Sequence, residues 1–400
     1  MKKGWKKSTL GITCEMYQPK TISKKEMVAE GDYPVFGANG IIGKYDKYNH
    51  EEEQLLITCR GATCGAVNLS EPKSWINGNA MVIKPKDDVD RNFLEYMFHG
   101  YIDLSRIITG SAQPQITRTS LNPVEISYPY SLKEQKAIVK ILDQAFAKID
   151  QAKTNIEKNI VNAKELFQSK LNEIFSQRNA LSSSKGGEGD ALSLPKGWEE
   201  KTLSEISIEF GRGKSKHRPR GDASLYGGKF PLIQTGDIGK SIHIIKDFSK
   251  TYNEKGLEQS KLWNKGTVCI AIVGANVAET GILNFDSCFP DSVIGIAVDR
   301  NKANNEYVEY LLQSYKALLK EKGKGTARDN INMGTFKKLK FPFPKIEKQI
   351  SIANKLNFLS KKCMKLESIL IIKNNELEEL KKSILQKAFS GELTKAEVLA

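Results

Sequence analysis

Between positions 212 and 220 the chain carries Arg212, Lys214, Lys216, Arg218 and Arg220, with His217 among them: five Lys or Arg in nine residues. Gly, Ser and Pro separate them, which suits a loop and not an amphipathic helix. Such a run either lies solvated on a surface or neutralises a polyanion. On DNA, Lys and Arg meet phosphates, and an Arg can fork onto a guanine edge. Both readings stay open for the run itself, and Arg60, Arg118, Lys324 and Arg328, in other Gly- or Thr-rich stretches, take the same two readings. Gln113, Gln115, Asn330 and Asn332 could pair with adenine edges or cap turns, and both uses stay open. Thr235-Gly236-Asp237 reads as a tight structural turn. Trp5 and Trp198 read as core residues rather than base-stacking ones.

Residues for catalysis do not assemble. An amino-methyltransferase needs an Asn/Asp-Pro-Pro-Tyr/Phe type motif to hold the exocyclic amine; Asn122-Pro123-Val124-Glu125 is not one and reads as a turn. Gly211-Arg212-Gly213 lacks the third glycine of a nucleotide loop. A nuclease needs clustered acids for a metal. Pro290-Asp291 has no nearby Glu-x-Lys, and Glu379-Leu380-Lys381 lies far downstream. Cys14, Cys59, Cys64, Cys269, Cys288 and Cys363 form no Cys-x-x-Cys pair, and the four His are not at zinc spacing. Free thiols in a reducing cytosol are therefore expected. The first twenty residues lack the apolar core of a signal peptide, and no run approaches a membrane span, so a cytoplasmic protein is expected. A net charge of +14 favours polyanionic partners, though a merely soluble basic protein would show it too.

Something must position these loops. Residues 132–177 carry apolar side chains at Ile138, Leu142, Ala145, Ile149, Ala152, Ile156, Ile160, Ala163, Phe167, Leu171 and Ile174. Steps of three and four with no Pro or Gly predict one helix, roughly 70 Å long at 1.5 Å per residue. Residues 346–390 repeat the pattern at Ile352, Leu356, Leu359, Cys363, Leu366, Leu370, Leu377, Leu380 and Ile384, a heptad seam that argues for a coiled coil. The two stretches agree in register at one constant offset: Gln135 answers Gln349, Ile138 answers Ile352, Phe175 answers Phe389. Leu132, Val161, Phe358, Ile371 and Ile372 fall off the seam, open to partner contact or to burial under the domains.

What lies between the helices is duplicated as well. Gly4-Trp5 is answered by Gly197-Trp198, Tyr33-Pro34-Val35 by Phe230-Pro231-Leu232, Phe93-Leu94-Glu95-Tyr96 by Tyr307-Val308-Glu309-Tyr310, Gly110 by Gly325, and Ile116 by Ile331. The expected order is a globular domain at 1–130, a long helix at 131–177, a Ser/Gly-rich flexible linker at 178–196, a second globular domain at 197–345, and a second long helix at 346–391. The fold class is mixed α/β: two globular domains joined by two long helices that carry coiled-coil seams. Strands are expected at 54–59, 80–84 and 126–129, and a largely helical segment at 92–108.

This combination resembles the specificity (S) subunits of type I restriction-modification systems over nearly the whole chain. The resemblance rests on Leu132-Lys133-Glu134-Gln135-Lys136-Ala137-Ile138-Val139 at a helix start, on the end Phe389-Ser390-Gly391-Glu392-Leu393, and on the loop Gly110 to Ile116. It implies a non-catalytic, sequence-specific DNA-binding subunit with two target-recognition domains, each reading half of a split site. It also implies that the two long helices pair as an antiparallel coiled coil, a spacer between target-recognition domains at 1–130 and 197–345 and a dock for two DNA methyltransferase subunits, with restriction subunits where a system has them. In such a chain contact with DNA is the expectation for the basic run. S-adenosylmethionine, ATP and Mg are then expected on those partners and no cofactor on this chain. The second copy has Arg328-Asp329-Asn330 where the first has Gln113-Pro114-Gln115. A self-contained methyltransferase or nuclease with cryptic motifs is the alternative, and a coiled-coil scaffold with no DNA role is a third reading.

Overall fold

The computed structural model describes residues 4–110, 113–176, 194–323 and 330–393. It divides into two compact units, residues 1–158 with 370–400 and residues 159–369. Each therefore holds one recognition domain and a part of each long helix. Lys324, Arg328 and residues 177–193, which include most of the expected linker, lie outside the described residues.

In the first unit Trp5–Thr9 pairs antiparallel with Glu125–Pro129, so Trp5 faces Pro129. A four-stranded antiparallel sheet runs Cys14–Tyr17, Ala80–Pro85, Leu55–Thr58, Val67–Leu69 in spatial order. Leu55, Leu56 and Ile57 are all buried, as a strand covered on both faces requires. A three-stranded sheet of Gly40–Tyr45, Tyr33–Gly37 and Trp75–Ile76 lies beside it in the chain order. The expected helix at 92–108 is shorter: Arg91–Gly100 is α-helical, and a separate 3-10 turn, Leu104–Ile107, follows, begun by Asp103. Gly100 ends the helix where a Cβ would meet the Leu385 side chain at 2.3 Å, so only glycine admits that approach.

The second unit repeats this plan with additions. Trp198–Thr202 pairs with Lys340–Pro344, Trp198 facing Pro344. The sheet Ser207–Arg212, Val293–Val298, Val268–Ala271, Thr280–Leu283 has the topology of its counterpart, extended by Ile244–Ile245 at one edge. The smaller sheet, Lys250–Tyr252, Tyr226–Leu232, Ser287–Cys288, gains Leu262–Trp263. Helix Asn305–Ser314 answers Arg91–Gly100.

Both long helices form as the periodicity predicts, Leu132–Ser176 and Ile346–Ser390, 45 residues each. In each unit they run antiparallel. In the first, Lys153 pairs with Glu378, and Lys381 lies 3.7 Å from Asp150; in the second, Lys164 lies 2.9 Å from Glu367. The buried set differs from the predicted seam at particular positions. Val139, Phe146, Phe175, Ala353, Leu385, Ala388 and Phe389 are buried although the stripes omit them, whereas Leu366 and Leu380 are exposed. The extra residues sit where a helix is covered by a recognition domain as well as by the other helix, which widens its apolar face.

Candidate nucleic-acid interface

In the first unit the loop after Leu55–Thr58 and the segment 113–116 are held together by backbone bonds. Gly61 N–H donates to Pro114 O (3.2 Å) and Ile116 N–H to Cys59 O (2.9 Å), with Arg60 bridged to Gln115. Gln115 and Thr109 also exchange backbone bonds at 2.8 and 2.9 Å. Ile116 is buried and pins the segment, and Gln115, Gln113 and Arg60 are left exposed. Three residues chosen for chemistry are thus brought to one place. Arg118 opens the short helix Arg118–Leu121, capped by Thr117, and is exposed. Burial pushes the Cys59 thiol up to about 11, so it stays protonated and packs.

The second unit builds the same device. Ile331 N–H donates to Ile272 O (2.9 Å), and Val273 is bridged to Asn330. Gly61 and Gly274 hold matching positive φ values, 89° and 80°. Asn330 therefore occupies the place of Gln115, exposed like it, while Val273 stands where the first unit has Arg60. Asn332 takes the turn-capping role: its side chain accepts from Gly334 N–H at 2.9 Å and starts the helix Met333–Lys338.

The basic run is a loop, as its composition predicts: Arg212 ends the strand Ser207–Arg212 and the following residues form bends. Its cations are not equivalent. Arg218 Nη1 donates to the carbonyls of Ser215 (2.6 Å) and His217 (2.8 Å). Arg220 Nη2 donates to both oxygens of Asp291, at 2.7 and 2.8 Å. His217 Nε2 lies 2.8 Å from Asp222, whose carboxyl is held below the usual range first by the Ser224 backbone N–H, then by the Ser224 hydroxyl and His217. Arg212, Lys214 and Lys216 are exposed and pair with no acid among the described residues. Trp5 is buried and Trp198 packs half-buried against the second core, so both are structural. Thr235-Gly236-Asp237 is the first turn of a short helix, Thr235–Lys240, rather than a tight turn: Asp237 accepts the Gln234 backbone N–H at 2.8 Å.

Sequence reasoning passed over Gln234. Its residue lines a polar hollow of about 280 Å³ together with Ser215, Arg220, Thr235, Tyr252 and Ser292. Adjacency to Thr235-Gly236 was the available signal, but the loops that close the hollow lie far apart in sequence. Among the described residues no group of three or more His, Cys, Asp or Glu is placed to hold a metal ion, and no helix is long and apolar enough to cross a membrane.

A recognition domain and a long helix, each made twice, with amide-bearing loops at corresponding places, define a duplicated DNA-recognition chain. The chain belongs to the family of type I restriction modification DNA specificity domains, whose model matches residues 2–162 and 195–379. It is a specificity subunit of a type I restriction-modification system, and the two matched stretches are its two copies. It is 23% identical over 390 residues to the type I restriction enzyme StySPI specificity subunit of Salmonella potsdam, covering 95% of this chain and 78% of that one. Its fold is similar to a chain of a solved type I R-M complex, with a TM-score of 0.75 at 16% identity, covering 98% of this chain and 99% of that one. The HsdS subunit from Thermoanaerobacter tengcongensis is also similar, with a TM-score of 0.61 at 17% identity over 98% and 97% of the two chains.

Proposed function

We propose that this chain reads a split DNA target, one half with each recognition domain, and performs no chemistry itself. The observation that carries the reading is the loop device built twice, at 59–61 with 113–116 and at 272–274 with 330–331. In the first copy Arg60, Gln113, Gln115 and Arg118 face the DNA. In the second, Arg212, Lys214, Lys216, Arg218, Arg220 and Asn330 do, joined by Lys324 and Arg328 from the sequence alone. Two methyltransferase subunits dock on the helices, where Leu132, Val161, Phe358, Ile371 and Ile372 are exposed, Phe358 by 65%. Such residues suit a partner surface better than solvent. Restriction subunits join where the system has them. S-adenosylmethionine, ATP and Mg belong to those partners, and the complex works in the cytoplasm.

The test is reconstitution. The chain alone should neither methylate nor cut DNA, and with its methyltransferase subunits it should direct methylation to one split sequence. Mass measurement of that complex should give two methyltransferase subunits per chain. Turnover by the purified chain would favour the self-contained enzyme instead, and binding without sequence preference would favour the scaffold.

A further inference from the structure

Within the second unit a cavity of about 450 Å³ opens between the segment 237–247 and the second long helix at Asn357, Ser360, Lys361 and Met364. Its size and mainly apolar walls with a few polar groups are those of a small-molecule site. None of the residues proposed to face the DNA lines it.

One wall holds a buried ionisable pair. Glu309 is wholly buried and accepts from the Thr280 hydroxyl at 2.8 Å and the Gln313 amide at 2.6 Å. His243 Nδ1 lies 2.5 Å from its other oxygen. The imidazole lies flat on the Tyr310 ring, centroids 4.3 Å apart and 10° from parallel, so its orientation is fixed from two sides. With Nδ1 engaged, Nε2 remains; it is buried and has no hydrogen-bond partner in the protein. His243 lines the cavity as part of this fixed wall.

The rim carries charge. Lys240, Lys246 and Lys361 come from three different elements, and none has an acidic partner among the described residues. Of the two acids lining the cavity, Asp237 already accepts from Gln234 N–H (2.8 Å) and from the Ser249 hydroxyl (3.2 Å), leaving Asp247. Ile242, Ile244, Met364 and the Tyr310 ring supply the apolar surface.

We propose that this cavity binds a small organic anion with a flat apolar body. The anionic group lies among the three lysines, and the body packs against the wall made by Tyr310, the His243 stacked on it and the aliphatic side chains. Because the walls belong both to the recognition domain and to the helix, occupancy stabilises that junction.

The probes are phenyl phosphate and benzoate, titrated into the full chain by calorimetry and by histidine-resolved NMR. Inorganic phosphate and benzyl alcohol serve as controls lacking the body or the charge. One equivalent of an aromatic anion should bind, shift the His243 imidazole resonances and raise Tm, and each control should bind at least about tenfold more weakly. Which anion binds tighter identifies the head group. Lys361→Gln, on the exposed rim where folding is not at stake, should weaken binding about tenfold. His243→Ala should weaken it further. The inference is overturned if inorganic phosphate binds as tightly as phenyl phosphate, if neither aromatic anion binds, or if Lys361→Gln leaves the affinity unchanged.

Discussion

Arg220 and Lys214 bear the same formal charge and stand six positions apart, yet they face different electrostatic surroundings. Asp291 compensates Arg220, while Lys214, Lys216 and Arg212 have no acid beside them among the described residues. Counterion release depends on uncompensated charge brought to phosphate, with a log–log salt slope of about 0.9 per contact. Alanine at Arg212, Lys214 and Lys216 together should therefore reduce the slope by roughly 2 to 3. Arg220→Ala should reduce it little and act instead on sequence preference, because a pinned guanidinium keeps a fixed direction for its remaining donors. Asp291→Asn should raise the slope, since it releases a cation. Affinity of the assembled complex measured across a salt series checks all three, and an equal loss from Arg220→Ala and Lys214→Ala would show that the Asp291 pair opens on DNA. The sequence displayed the basic run plainly. It could not display the pairing, because Asp291 lies 71 residues from Arg220 and enters only through the sheet that carries both segments.

Among elements, the starts of the two long helices are secured in one way. Gln135 is wholly buried; its Oε1 accepts Asp90 N–H at 2.7 Å, and its Nε2 donates to the carbonyls of Asp88 (3.0 Å) and Pro129 (2.9 Å). Gln349 accepts Asn304 N–H at 3.0 Å and donates to Lys302 and Pro344 carbonyls at 3.4 and 2.8 Å. Asp90 and Asn304 are themselves the caps of Arg91–Gly100 and Asn305–Ser314, so one amide ties a long helix to a domain helix and a strand. Gln135→Leu or Gln349→Leu would strand three backbone groups, one of them in a buried bond and two in half-buried ones, and a loss of about 2 to 4 kcal/mol is expected in urea unfolding. A change below about 0.5 kcal/mol would mean that the backbone groups find other partners. The same first-unit corner has a pH signature. The Lys6 ammonium beside Asp88 holds its carboxyl below the usual 3.8, with Tyr128 adding to the effect. A lowered folded value stabilises above the unfolded one and is lost as pH falls through the folded value. Asp88→Asn should thus flatten the acid limb of a stability–pH curve below about pH 4, and it should change the alkaline limb too, because Asp88 is also the main cause of the raised Lys6 pKa. The helices themselves were legible because period and length are local properties. Which residues lie under a domain is not local, so Phe146, Leu385 and Phe389 escaped the stripe.

For the molecule as a whole, duplication with divergence predicts modular reading. Each unit has its own hydrophobic core, one around Phe93 and Leu142, the other around Tyr307 and Leu356. The copies share the anchors Trp5 and Trp198, Gln135 and Gln349, Ile116 and Ile331, and these were visible as repeats because their job is the same in both. They differ where bases would be read: Arg60 against Val273, Gln115 against Asn330, and a basic loop in the second copy. That divergence is why the target bases could not be read from sequence, since a base contact depends on loop geometry that no repeat preserves. Arg60→Ala with Gln115→Ala should relax one half of the methylated sequence and leave the other half and the spacing unchanged. Asn330→Ala should relax only the opposite half. Each lost base contact should cost roughly 1 to 3 kcal/mol of discrimination at its own position. Methylation mapping of cells carrying each variant reads both halves at once. A substitution in one unit that altered both halves would mean that the two copies do not read DNA independently, and the assignment of one half-site to each unit would fall.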